Sequence, residues 1–309
     1  MLKNCIGGLK MFKVNVSSHT DIGDIKKTNQ DSILHLEGLI NKHSVGLFIV
    51  ADGCGGLEYG EEISNLIITH FSRIWNDELR DLISTKKVDI KSIDLFLNKA
   101  LHDINDKAIG FSKMVSGKVG STLTMLFTVD NQYIIKNVGD SRVYLKRGRK
   151  ISQLTEDQSL VADMIRNGEL TKEEAKSFKK KNVLTMCIGV FEDLKIYSKF
   201  GKIKNNDTFI LCCDGLHNHV SAECMLKILN NKKVQFDDKA YEMRNAIEHG
   251  KANDNVSSII CEFYKKKKIS MSSVAILIIA LALLSYIFRD IICDFIMSNL
   301  MMHTGVRYR

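Results

Sequence analysis

Proline is absent from all 309 residues of this chain, although about 5% is usual in soluble proteins. Turns must therefore be built from Gly, Asn, Asp and Ser, each of which favours turn conformations for its own reason. Because Lys, Asn and Ile are abundant, we interpret the missing proline as the mark of a biased genome and not as a structural device.

Signals for disulfides, structural zinc and secretion are missing as well. The eight cysteines include no C-x-x-C pair, and several lie in apolar runs, where a free thiol behaves as a small hydrophobic group. The first ten residues lack the apolar core of a secretory signal. We therefore expect reduced thiols in the cytoplasm.

The net charge of +8 lies largely in two lysine runs, residues 179–181 and 265–268. Neither run has interleaved aromatic residues on which bases could stack, so no nucleic-acid partner is expected. A membrane surface explains the second run better. A composition of 45% hydrophobic and 26% charged residues is typical of a folded protein and argues against disorder.

Four apolar runs each carry an aspartate at one end. They are Asp52 after residues 47–51, Asp140 after 134–138, Asp214 after 209–213, and Asp254 before 256–263. Short apolar runs bounded by glycine predict buried strands. A single Asp-Gly pair is more often an ordinary turn, but the repetition predicts that strand ends bring several carboxylates to one edge of a sheet.

Carboxylates packed together repel one another, so such a cluster requires cations at neutral pH. Oxygen ligands without Cys or His ligand spacing favour Mg²⁺ or Mn²⁺ over zinc. Two such ions about 3.5–4 Å apart would lower the pKa of a bridging water and hold a phosphoryl group for in-line attack.

The four aspartates belong to a set of eight short motifs that follow one another along the chain. They are Asp21-Ile22-Gly23, Asn29-Gln30-Asp31-Ser32, Asp52-Gly53-Cys54-Gly55-Gly56, Gly120-Ser121-Thr122, Gly139-Asp140-Ser141-Arg142, Leu154-Thr155-Glu156-Asp157, Asp214-Gly215-Leu216 and Asp254-Asn255. Each motif is weak alone, but the set resembles the bacterial metal-dependent serine/threonine protein phosphatases (PPM family, type 2C). The resemblance covers about residues 14–263. It implies an α+β fold, a four-layer α-β-β-α sandwich of two antiparallel sheets flanked by helices.

The resemblance also implies an activity. Phosphoserine and phosphothreonine on proteins would be hydrolysed by a water activated between two Mn²⁺ or Mg²⁺ ions, without a phosphoenzyme. The implied metal ligands are Asp52, the Gly53 carbonyl, Asp214 and Asp254, with Asp140 at a third ion. Asp52, Lys26 and Asp31 would take part in catalysis. Gln30, Ser141 and Asn255 occupy supporting positions beside these residues. A capping role for Asp140 is the alternative.

Two residues depart from the family pattern. Lys26 replaces the usual phosphate-binding arginine, and lysine acts as a point charge without a bidentate fork. Gln30 replaces the usual glutamate and contributes no charge. A solvated turn is the alternative for Lys26.

These departures support a rival hypothesis, a membrane-tethered, catalytically weakened module that binds phosphoproteins or a kinase. The retained aspartates favour the enzyme, whose expected partners are phosphorylated proteins and a cognate serine/threonine kinase.

The chain is expected to divide into a leader (1–12), a catalytic domain (13–264), a basic juxtamembrane stop (265–268), a transmembrane helix (269–288) and a tail (289–309). About 20 apolar residues suffice to cross a bilayer, and lysines on the N-terminal side favour a cytoplasmic domain. The expected localisation is a single-pass C-terminal membrane anchor with the catalytic domain in the cytoplasm. A buried helix is the alternative for the apolar stretch.

Periodicity gives further local expectations. Helical spacing covers residues 61–83 and 93–109, and residues 121–138 form a hairpin that turns at Asp130-Asn131. An insertion at 159–181 should hold two short helices, the second starting with a capping box from Thr171.

Overall fold

The computed structural model describes residues 12–54, 59–83, 88–176, 178, 183–265, 278–286, 288–289 and 295–296. The chain divides into two units, residues 1–265 and 266–309. The strands of the first unit are β1 (Phe12–Asp21), β2 (Asp31–Ile40), β3 (His43–Asp52), β4 (Leu123–Val129), β5 (Gln132–Val138), β6 (Arg142–Arg147), β7 (Lys150–Gln153), β8 (Tyr197–Lys202), β9 (Asp207–Cys212) and β10 (Val256–Lys265). Its helices are α1 (Gly60–Asn76), α2 (Glu78–Ile83), α3 (Ile90–Val115), α4 (Leu160–Arg166), α5 (Lys172–Lys176), α6 (Asp214–His217), α7 (Ala222–Asn230) and α8 (Lys239–Asn245).

The strands form two five-stranded sheets, in the orders β1-β10-β9-β6-β7 and β2-β3-β4-β5-β8. Neighbouring strands pair antiparallel in both sheets. The last strand, β10, inserts between β1 and β9, so the end of the domain is tied to its beginning.

Alternation along β3 shows how one strand serves two apolar layers, because successive side chains point to opposite faces of a sheet. Leu47, Ile49 and Ala51 pack in a cluster with α1, α2 and α3. Phe48 and Val50 point the other way, into a cluster shared with the second sheet. There the ring of Phe48 meets that of Phe263 edge to face, with 6.4 Å between centroids.

A third cluster covers the outer face of the other sheet, where Ile210 of β9 and Ile260 of β10 pack against Met225 of α7 and Met243 of α8. Helices therefore lie outside both sheets. The predicted α+β fold of two antiparallel sheets flanked by helices is confirmed.

The helices α1, α2 and α3 begin and end at other residues than the apolar periodicity predicted. The pattern over 61–83 is interrupted at Asp77, whose φ of −104° and ψ of −83° separate α1 from α2. The third helix is longer than predicted. It begins after Asp89, whose side chain accepts hydrogen bonds from the N–H groups of Lys91 and Ser92, a typical N-cap.

The predicted hairpin turn and helix cap agree with the structure better than the helix bounds do. The hairpin of β4 and β5 turns at Asp130, which has a φ of 54°. In the insertion, the Thr171 N–H donates to Glu174 Oε2 at 2.8 Å and the Glu174 N–H donates to Thr171 Oγ1 at 3.3 Å. These two bonds form the predicted capping box. The lysine run at 179–181 lies outside the described residues.

The second unit, residues 266–309, contains the stretch that was predicted to anchor the chain in a membrane. Residues 269–277 of the expected span lie outside the described residues, and residues 278–286 are helical. Within the ranges that the structure describes, no helix is long and apolar enough to cross a membrane. The expected single-pass membrane localisation is therefore wrong.

A buried lysine joins the first helical layer to its sheet. The Lys136 side chain on β5 is fully buried and forms an ion pair with Asp94 of α3. Its ammonium also donates to Asn98 Oδ1 at 2.7 Å and to Ser198 Oγ of β8 at 2.8 Å. All three ammonium protons thus have acceptors, which offsets the cost of burying the charge.

Replacing Lys136 by alanine should lower the free energy of unfolding by about 3 kcal/mol, because removing one partner of a buried pair leaves the other groups unsatisfied. Urea denaturation of the full chain measures this loss. The exposed Lys99→Ala, on the same helix as Asp94, is the control and should change stability by less than about 0.5 kcal/mol. Equal losses in the two variants would contradict the assigned role of Lys136.

Candidate active site

Strand register brings the first two carboxylates together. Asp31 begins β2 and Asp52 ends β3, and the two residues lie directly opposite each other. The Asp52 N–H donates to Thr122 Oγ1 at 3.2 Å, while its carbonyl accepts from the Thr122 N–H at 2.8 Å and from Ser121 Oγ at 2.9 Å. The backbone beneath the Asp52 carboxylate is therefore fixed by the Gly120-Ser121-Thr122 motif.

Asp31 is the least solvated of these carboxylates. Its side chain is buried, and neither carboxylate oxygen has a hydrogen-bond partner. One oxygen each of Asp31 and Asp52 and the sulfur of Cys213 lie within 4.8 Å of one another. Burial raises the pKa of Asp31 to about 7; the Ser257 and Cys213 side chains oppose this rise, and the charges of Asp214 and Asp254 add to it. Buried charged groups ordinarily have partners, so this carboxylate fits a cation.

Asp52 shares a cleft of about 530 Å³ with Asp140, Asp214 and Asp254. Burial, together with the charges of Asp214 and Asp157, raises the pKa of Asp140 to about 8. Burial and four neighbouring carboxylates raise the pKa of Asp52 well above its ordinary value. Burial likewise raises the pKa of Asp214, with the Asp254 charge as the next cause. Oxygen donors that repel one another in one cleft are the donor set of a hard divalent cation.

Two glycines allow the chain to come this close. A Cβ at Gly53 would lie 2.7 Å from the Gln30 carbonyl oxygen and 2.6 Å from the Gly60 carbonyl carbon. A Cβ at Gly215 would lie 2.0 Å from the Asn255 carbonyl oxygen. Both contacts are with backbone and cannot be relieved by side-chain movement. The Asp-Gly pairs at Asp52 and Asp214 are therefore required by packing, and are not ordinary turns.

Lys26 lies at the edge of the cluster. Its ammonium is 2.7 Å from Asp254 Oδ1. Partial burial lowers its pKa, but the hydrogen bond and charge of Asp254 and the charges of Asp52 and Asp214 outweigh that effect and raise it. Lys26 is therefore a protonated cation held beside the carboxylates, and not a solvated turn residue.

Asn255 holds the loop that carries Lys26. Its side-chain amide donates to the carbonyls of Ile22 at 2.8 Å and Thr28 at 3.1 Å, and its Oδ1 accepts from the Gln30 N–H at 2.9 Å. Gln30 in turn accepts at its carbonyl from the Gly53 N–H at 3.1 Å. Asn255 and the Gln30 backbone thus connect β10, the Lys26 loop and the tip of β3.

The turn at Asp140 is fixed from three sides. Ser141 is buried, and its Oγ lies 2.8 Å from Thr122 Oγ1. Gln158 Oε1 accepts from the Gly139 N–H at 2.8 Å, and the ring Nε2 of His217 lies 3.0 Å from the Asp140 carbonyl oxygen. The backbone that carries the Asp140 carboxylate is therefore fixed by three separate segments.

Two members of the site could not be assigned a role from sequence. Cys213 ends the apolar run 209–213, and its place beside Asp31 depends on a pairing of distant strands. Its position directly before Asp214 was the available signal. Thr122 belongs to one of the eight motifs, but its two hydroxyl contacts, with the Asp52 N–H and with Ser141, appear only once β4 is placed beside β3.

Comparison with known proteins decides the family. A model of the family Protein phosphatase 2C matches residues 16–162. The serine/threonine phosphatase stp of Listeria monocytogenes is 31% identical over 245 residues, which cover 79% of this chain and 93% of that protein. The chain belongs to the protein phosphatase 2C family. Protein phosphatase PhpP of Streptococcus pneumoniae is 29% identical over 246 residues, with coverages of 79% and 95%.

Solved structures agree with this membership. The S. agalactiae serine/threonine phosphatase superposes with a TM-score of 0.73 at 27% identity, covering 82% of this chain and all of that one. The catalytic domain of the phosphatase PstP, solved with two manganese ions, gives a TM-score of 0.68 at 23% identity, with coverages of 82% and 100%; that likeness is one of fold. The predicted family and enzyme class, a protein-serine/threonine phosphatase, are confirmed.

Replacing Asn255 by alanine should free the loop over residues 22–30, because three hydrogen bonds are lost at about 1 kcal/mol each. The expected result is a loss of about 2–3 kcal/mol in unfolding free energy and faster tryptic cleavage at Lys26 and Lys27. Limited proteolysis followed by mass spectrometry measures the second effect.

The control for this variant is Asn253→Ala, which removes only a contact between Asn253 Oδ1 and the ring Nε2 of His219 on the surface. Its cleavage should match that of the wild type. If Asn255→Ala is cut no faster than this control, Asn255 does not hold the loop.

Proposed function

We propose that this phosphatase hydrolyses phosphoserine and phosphothreonine esters on proteins at the carboxylate cluster, with Mn²⁺ or Mg²⁺ bound there. The observation that carries the proposal is the buried Asp31 carboxylate, unpaired and opposite Asp52. An uncompensated buried charge of this kind costs several kcal/mol, and a bound cation would remove that cost. The two manganese ions of PstP support the same metal for this chain.

The proposed ligands are the cleft carboxylates of Asp52, Asp214 and Asp254 with the Gly53 carbonyl. Asp140 would serve a third ion, and Asp31 would add its negative charge behind Asp52, where a bound cation would offset both. When bound, divalent ions supply the Lewis acid that polarises the phosphoryl group and acidifies the attacking water. The chain's own residues fix where these charges stand.

Lys26 is proposed to hold the substrate phosphate. Its ammonium carries three donors without a fixed orientation, so it can turn from Asp254 towards a phosphoryl oxygen without moving the loop. During hydrolysis the water oxygen forms a bond to phosphorus, the ester P–O bond breaks, and the serine or threonine oxygen takes up a proton. Lys26 would neutralise part of the negative charge on the phosphoryl oxygens throughout.

Gln30 is proposed to act through its backbone. Its carbonyl accepts from Gly53 and its N–H donates to Asn255, and both bonds would persist with glutamate at this position. The replacement of the family glutamate therefore changes charge and leaves the scaffold unchanged. Family membership favours the enzyme over a weakened binding module. A serine/threonine kinase that modifies the same substrates is the partner this activity requires, and it remains part of the proposal.

The test is phosphate release from a phosphothreonine peptide by the full chain in Mn²⁺, Mg²⁺ or chelator. Release should require metal, and Asp52→Asn and Asp214→Asn should each reduce kcat/KM by at least about 1,000-fold, because ligand oxygens and charge are lost together. Asp103→Asn, an exposed aspartate on α3, is the matched control and should retain wild-type activity. Metal-independent release, or full activity of Asp52→Asn, would refute the proposed site.

A further inference from the structure

The cleft that holds the carboxylates has a second, chemically different lining. Beside Asp52, Asp140, Asp214 and Asp254 it is lined by Val119, Leu184, Val190 and Phe191. The apolar residues come from two segments outside the strands that carry the aspartates, the end of α3 and the chain before β8. A volume of about 530 Å³ exceeds the space that a phosphorylated side chain alone fills.

The first apolar wall is held by the end of α3. The helix ends at Ser116, which has a φ of 51°, and Ser112 Oγ donates to the Gly117 carbonyl at 2.7 Å across the turn. Val119, immediately after this turn, is almost fully buried. Its side chain therefore supports the cleft from the side of the core.

The second wall is held by one buried amide. Asn105 of α3 is fully buried; it donates to the Phe191 carbonyl at 2.8 Å and accepts from the Gly189 N–H at 2.9 Å. The preceding residue, Ile188, exchanges backbone hydrogen bonds with Ser121 at 2.9 and 3.2 Å. Val190 lies between these anchors and is still 47% exposed. This segment is rigid, yet it presents an apolar side chain to solvent within the cleft.

We propose that these walls form a subsite for an apolar side chain that flanks the phosphorylated residue in the substrate protein. The inference rests on the proposed function, which directs the phosphoryl group to the carboxylates and so leads the substrate chain along the same cleft. An extended peptide advances about 3.3 Å per residue, so the residues on either side of the phosphorylated one also run along the cleft.

Rigid walls strengthen binding at this subsite, because a preformed pocket needs no ordering when the ligand binds. Burying a leucine or phenylalanine side chain there should raise kcat/KM by about tenfold or more relative to glycine. The gain should appear mainly in KM, since the contact is the same in the bound substrate and in the transition state.

The experiment uses the full chain with Mn²⁺ and a phosphothreonine peptide in which a single leucine is moved through the three positions on either side, against a glycine background. At least one position should raise kcat/KM by about tenfold or more. In Val190→Asp that leucine-to-glycine ratio should fall to within about twofold of one. Val183→Asp is the matched control: Val183 is 45% exposed, lies outside the cleft lining, and should leave the ratio unchanged.

No leucine preference at any position, in a wild-type enzyme that hydrolyses the glycine peptide and p-nitrophenyl phosphate, would overturn the subsite and leave the proposed function intact. A ratio that survives in Val190→Asp would also overturn it. Failure of the wild type on every substrate with metal would instead refute the proposed function, and the subsite with it.

Discussion

Mutual repulsion among buried carboxylates is the constraint on which this structure depends. Four aspartates share one cleft and a fifth, Asp31, is buried behind them without a hydrogen bond. Burial and like charge raise the pKa values of Asp31, Asp52, Asp140 and Asp214. Lys26 compensates only part of this charge through Asp254. The cluster lowers the free energy of unfolding relative to a fold with neutral residues at these positions. A cation that binds to the folded state raises the free energy of unfolding again.

The rest of the domain keeps these groups from moving apart. Antiparallel register sets Asp31 against Asp52, and the glycines after Asp52 and Asp214 allow backbone to pack where any Cβ would collide. The Asn255 amide closes the Lys26 loop. Because each carboxylate stands on backbone fixed by at least one neighbouring segment, relaxation cannot disperse the charge. The same rigidity holds the apolar walls of the cleft through Asn105.

The fold and the carboxylate cluster could be predicted from the sequence because the patterns that indicate them recur along the chain. Apolar runs that end in aspartate predict where carboxylates gather, and turn chemistry predicts the hairpin at Asp130 and the capping box at Thr171. It does not reach contacts that depend on distant pairings, such as Cys213 beside Asp31 or Thr122 beneath Asp52. Helix bounds at Asp77 and Asp89 are decided by local caps and packing, which periodicity cannot resolve. The predicted membrane anchor was wrong, since no helix among the described residues is long and apolar enough to cross a membrane.

The most direct test of the central claim is the thermal unfolding of the full chain and of Asp52→Asn, each in chelator and in Mn²⁺. Removing one charge from an unneutralised cluster should raise the Tm in chelator by about 2 °C or more. In Mn²⁺ the order should reverse, because the wild type gains the binding free energy and the variant loses a ligand. A variant that is less stable than the wild type in chelator, or a wild type that Mn²⁺ does not stabilise, would contradict the account.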